Sequence, residues 1–143
     1  MELEEIEKMI REGKTVEEVL RLVDWREFEE KVEEIFKIHG FKTKKNFRFK
    51  TSKRFEADIV AEKRDLVFII DCKKWGKGRY KTYHIKKAAE KQLERTEAIK
   101  QTFVGYDKKI IPMIITLFDE GIYEFNNVFI VPIFKLNSFL LEY

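Results

Sequence analysis

Apolar and polar positions follow two rhythms along this chain, and the switch between them divides it into elements. Through residue 40 the apolar side chains return every three or four positions, as on one face of a helix. Residues 1–12 and 15–22 read as two short helices, the second opened by Thr15 with Glu18 in capping-box spacing. Asp24 and Glu27 start a longer helix over 25–39, and Gly40 stands where such a helix gives way. From residue 41 the pattern alternates, and strands are expected over 41–50, 55–62 and 66–73. A loop at 75–79 leads into a helix over 83–103, then strands at 109–117 and 128–133 and a short helix from 137. This order implies one α/β domain, a mixed central sheet with helices on both faces. Residues 1–23 form a helical extension and residues 24–143 the core.

The second and third strands carry the chemistry. With a hairpin turn centred on Arg64 and Asp65, Asp58 and Asp71 lie equally far from the turn, so they face each other across the pair. Side chains alternate along a strand, which places Lys73 on the same face and Cys72 on the other. Like charges set opposite one another weaken a sheet, and the neighbours Ile59, Val60, Ile69 and Ile70 mark these strands as buried. A divalent cation relieves that repulsion: Mg²⁺ prefers carboxylate oxygen and retains waters for a substrate phosphate. Such an ion activates water and offsets charge at phosphorus, while Lys73 is placed to hold that water or steady the developing charge. An isolated Asp-x-Lys is commonplace. The matched Asp58 across the hairpin is what raises it above coincidence.

Charge sharpens the picture. The net charge of +3 conceals a chain divided by sign, with residues 37–100 strongly basic and the ends acidic. Residues 37–54 and 73–87 are two runs of Lys and Arg without an acid, flanking the proposed site. Lys44, Lys45, Arg48, Lys50, Lys53, Arg54, Lys74, Lys77 and Arg79 are therefore expected to hold phosphates of a nucleic acid, with Trp75, Tyr80 and Tyr83 interleaved. No apolar run reaches the length of a membrane span. The Glu-rich start has no secretory leader and the single cysteine forms no internal disulfide, which together indicate a cytoplasmic protein. Abundant Lys, Glu, Ile and Phe with two Gln lean towards a thermophilic source. Cys72 reads as a small core residue, His39 as core packing, and His84 has no assigned part.

Ala57-Asp58 followed by Asp71-Cys72-Lys73 resembles the signature of the PD-(D/E)XK nuclease superfamily. Phe28-Glu29 and Gly40-Phe41 resemble the opening helix of archaeal Holliday-junction resolvases and Mrr-like restriction endonucleases. The stretches from Trp25 to Glu29 and from Cys72 to Trp75 look closer to the Mrr-like group. The resemblance spans about residues 24 to 95. It implies a restriction-endonuclease-like three-layer fold and Mg²⁺-dependent endonucleolytic cleavage of DNA, with Mn²⁺ as a substitute. It also implies a helix glutamate at the metal beside Asp58 and Asp71. On a helical wheel of about 100° per residue, Glu29 lies at the edge of the stripe formed by Trp25, Phe28, Val32, Ile35, Phe36 and His39, while Glu30, Glu33 and Glu34 turn further out. Glu29 is thus the acid expected there. Gln92 resembles a glutamine on the helix after the site and is expected to join the nucleic-acid surface. Two departures are Ala57 in place of proline and Asp71 where glutamate is commoner; the second shortens the reach to a metal. The alternatives are a junction resolvase, an inactive nucleic-acid-binding relative, or cleavage of RNA. One site per chain makes a homodimer the natural unit for cutting a duplex.

Overall fold

A computed structural model describes residues 2–75, 81–102 and 107–143, the side chain of Lys81 excepted. Three helices come first: α1 (Leu3–Arg11), α2 (Val16–Leu22) and α3 (Trp25–Ile38). Thr15 caps α2 reciprocally with Glu18, and Asp24 caps α3 by accepting from the Arg26 N–H at 2.9 Å. Gly40 ends α3 at φ 87°, and this left-handed residue lets the Phe41 N–H reach back to the Phe36 carbonyl at 3.0 Å.

Strands β1 (Lys42–Lys50), β2 (Arg54–Lys63) and β3 (Leu66–Lys73) form an antiparallel meander. Helix α4 (Lys81–Thr102) then crosses over to β4 (Lys109–Thr116), which pairs parallel with β3. A short hairpin of β5 (Glu124–Phe125) and β6 (Val128–Pro132) precedes α5 (Ile133–Leu140). The sheet order is β1-β2-β3-β4-β6-β5. Phe28, Val32 and Phe36 of α3 and Leu136 of α5 share one core with Ile59, Phe68, Ile70 and Met113. Ile85, Ala88 and Ala89 of α4 pack against Ile114 and Ile130, and Ile99 against Val67 and Ile69, on the opposite face. The result is the expected three-layer α/β fold with a mixed central sheet. Among the described residues, no helix is long and apolar enough to cross a membrane.

Three details differ from the sequence reading. Helix α5 begins at Ile133, not residue 137, because Pro132 is its N-cap; the continuous apolar run across that boundary hides it. Strand β5 was not expected, since it is two residues long, joined to β6 by Asn126 and Asn127 at φ 50° and 66°. The third concerns Gln92. Expected at the nucleic-acid surface, it is wholly buried in the apolar face of α4, where its Nε2 donates to the Ile69 carbonyl at 2.7 Å and the Met113 carbonyl at 2.9 Å. Its amide thus pins α4 to the two central strands β3 and β4 through carbonyls that neighbour each other in the parallel register.

Replacing Gln92 with Leu should cost about 1–3 kcal/mol, the usual loss for two buried hydrogen bonds removed together. Denaturant unfolding measures it. A Gln92→Leu protein as stable as the parent would show that the amide contributes nothing to the sheet.

Candidate active site

The β2–β3 hairpin closes on the pair Lys63–Leu66, with Arg64 turning at φ 55°. Its register runs without slip from that pair to Ile59–Ile70. The next position would set Asp58 opposite Asp71, and there the backbone ladder gives way to a side chain: Asp58 Oδ2 accepts the Cys72 N–H at 2.9 Å. On the other side of β2, Asn46 falls opposite Asp58 between the pairs Lys45–Ile59 and Phe47–Ala57, and it adopts a left-handed φ of 51°.

Alternation slips at this point. Thr43 faces α3, donating through its hydroxyl to Glu33 Oε2 at 2.6 Å. Four residues on, Phe47 should share that face, yet it packs with Ala57 and Ile99 on the α4 side. Ile59 belongs to the α3 core, while Ala57, two residues earlier, belongs to the α4 cluster. Asp58 therefore sits where the strand changes faces, within Coulombic reach of Glu29 from α3 and beside Asp71, which Arg95 of α4 approaches.

Asp71 is buried, and its Oδ2 has no hydrogen-bond partner. Lys73 Nζ stands 3.2 Å from that oxygen and Arg95 Nη1 3.9 Å, so charge is balanced without hydrogen-bond geometry. Burial pushes the Asp58 carboxyl up to about 6; the Cys72 N–H opposes the rise, and the charge and hydrogen bond of Asp71 add to it. Glu29 is also raised, first by burial and then by Asp58, with Lys45 pulling the other way. The Cys72 thiol is raised far above its ordinary value by burial and the surrounding carboxylates, which leaves it inert at neutral pH.

The structure thus brings Asp58, Asp71 and Lys73 together and places Glu29 nearby. Among the described residues no three His, Cys, Asp or Glu side chains converge as a ready-made metal cage. Asp58 and Asp71 still suit a hard cation, because a buried carboxylate oxygen without a hydrogen bond, set beside a second acid, is a ready oxygen ligand. Of the basic residues, Lys44, Arg48, Lys50, Lys53, Arg54 and Lys74 are exposed and Lys45 is half-buried. Arg48 pairs with Glu56 at 3.7 Å, Lys53 pairs with Glu94, and Lys74 lies 5.5 Å over the Trp25 ring. Lys77 and Arg79, with Tyr80, lie outside the described residues. Sequence reasoning missed Asn46 and Arg95. Asn at a position needing positive φ was a usable signal, and Arg95 falls one helical turn after Gln92.

Comparison with known proteins bears on the family. The profile of a family described as a restriction endonuclease, the Mrr catalytic type, matches residues 20–107. An uncharacterized protein of Archaeoglobus fulgidus is 36% identical over 117 residues, which cover 81% of this chain and 88% of that one. A crystal structure of a protein of unknown function matches 76% of this chain and 50% of its own length at 21% identity, with a TM-score of 0.37. That last likeness is too loose to add to the argument. The family match covers more than half of the chain, including α3, the whole β1–β3 meander and α4. The chain belongs to the Mrr-like restriction endonucleases of the PD-(D/E)XK superfamily.

Proposed function

We propose that this nuclease-type domain is a metal-dependent endonuclease that hydrolyses DNA phosphodiester bonds in the Mrr-like manner. The observation that carries the reading is the apposition of half-buried Asp58 and buried Asp71, with Lys73 at 3.2 Å from an Asp71 oxygen that has no hydrogen bond. Asp58 and Asp71 would hold the cation, Mg²⁺ with Mn²⁺ as a substitute, with Glu29 joining them from α3. Such an ion would supply a polarised water and offset charge on the phosphoryl oxygens. Lys73 is placed to orient the attacking water and to steady negative charge as it develops at phosphorus, from a site where water screens it poorly. Lys44, Lys45, Arg48, Lys50, Lys53, Arg54 and Lys74, with Lys77 and Arg79, hold the DNA backbone. Two copies acting together would cut both strands, and the exposed Phe134, Leu141 and Tyr143 near the C-terminus offer apolar surface for their contact.

Asp58→Ala or Asp71→Ala should abolish Mg²⁺-dependent cleavage while DNA binding holds or tightens, since repulsion towards phosphate is removed. Lys73→Met keeps the stem and removes the charge, and should slow single-turnover cleavage by about 10²–10³ with little change in DNA affinity. Undiminished cleavage by any folded member of this set would sink the site assignment.

Without a cation, the raised Asp58 carboxyl binds its proton more tightly in the folded than in the unfolded chain. Its contribution is present below about pH 4 and is lost as pH rises through about 6. The melting temperature should therefore fall between these values relative to Asp58→Asn, which cannot ionise. Parallel melting curves for the two proteins would show that the carboxyl pair carries no such strain.

DNA binding should weaken steeply with salt through counterion release, and replacing Lys44, Lys45 and Arg48 together should flatten the slope equally for all sequences. An affinity independent of salt would remove the nucleic acid from the reading.

A further inference from the structure

The chemistry above leaves one charged side chain beside the carboxyl pair without a part. Arg95, 21% exposed at its side chain, stands 3.9 Å from Asp71 Oδ2, too far for a hydrogen bond. Its Nη1 donates to Gln92 Oε1 at 3.0 Å. Gln92 is fixed in turn by its two bonds to the sheet, so the guanidinium is held at one nitrogen. Among the described residues its other N–H groups make no hydrogen bond. Arg95 also lines a cleft of about 260 Å³ between the β1–β2 hairpin and α4. The two acids of that cleft are engaged, Glu94 by Lys53 and Glu56 by Arg48. Arg54, Lys91 and Arg95 remain as an excess of positive charge, and Arg95 is the member that adjoins Asp71.

We propose that Arg95 is a further catalytic residue of this site. In the cation-free protein it serves Asp71 as a loose counter-ion; when Asp71 takes a divalent cation, Arg95 releases the carboxylate and turns its free N–H groups to a phosphate of the DNA. The second half rests on the nuclease reading. A buried carboxylate needs positive charge nearby at all times, and a guanidinium that makes no bond to it can leave without breaking one. The planar array of donors also matches two phosphate oxygens at once, which an ammonium cannot do. A merely structural role, tying α4 to the sheet, is already filled by Gln92, and Arg95 adds no bond to the sheet.

The test uses Arg95→Gln and Arg95→Lys in the full chain. Calorimetric titration of Mn²⁺ without DNA comes first, then single-turnover cleavage with saturating protein, with melting curves to verify folding. Arg95→Gln should bind Mn²⁺ about tenfold tighter, because a competing charge is gone, and should cleave about 10²-fold more slowly. Arg95→Lys should keep the parental Mn²⁺ affinity and recover only part of the rate. Equal or weaker Mn²⁺ binding by folded Arg95→Gln overturns the counter-ion role, since a residue that only shaped the site would lower affinity when lost. Unaltered cleavage overturns the catalytic role, and where Arg95→Gln fails to fold, a full rate in Arg95→Lys does the same. If the parent protein cleaves no DNA, the catalytic role falls with the nuclease reading. The Mn²⁺ comparison then still decides whether Arg95 is the counter-ion of Asp71.

Discussion

Two carboxyl groups held against each other, one buried and one half-buried, are the constraint around which this molecule is organised. Charge in such a place must be balanced, protonated or given a cation, and the surroundings of Asp58 and Asp71 show the first two at once. Lys73 and Arg95 approach Asp71 without bonding to it, and Asp58 holds its proton to about pH 6. A core designed only for stability would place apolar residues there. Strands β2 and β3 bear this burden because they are flanked on both faces by well-packed apolar clusters.

Much of this was legible in the sequence because hairpin geometry is local. The turn at Arg64 and Asp65 and the alternation around it determine which residues face one another, so the approach of Asp58 to Asp71 followed from counting. The capping pair Thr15 and Glu18 and the glycine after α3 were readable for the same reason: each acts within a few residues. The stripe of α3 set Glu29 at its edge, but Glu33, expected further out, is half-buried as well and accepts from Thr43 of β1.

What escaped depended on partners distant in sequence or on broken rules. Gln92 looks like a surface residue until the carbonyls of Ile69 and Met113, both about twenty positions away, are known to lie beneath it. Even so, its place within the helical stripe of Ile85, Ala88, Ala89, Thr96 and Ile99 was a sign of burial. The slip in alternation at Asn46 and Asp58 was invisible to a reading that assumed period two throughout. The start of α5 was lost because a buried strand running into a buried helix has no polar boundary to mark it.

Among the described residues strand β1 has a neighbour on one side only, and its outer edge faces no further strand. Lys42, Lys44, Arg48 and Lys50 point from this strand into solvent. Such side chains repel a second edge of the same kind, so they keep copies of the chain from joining into a continuous sheet. The charges that would grip a polyanion are thus also what keeps the protein dispersed without one. Solubility and substrate affinity are tied to the same few residues, and neither property can drift far without carrying the other along.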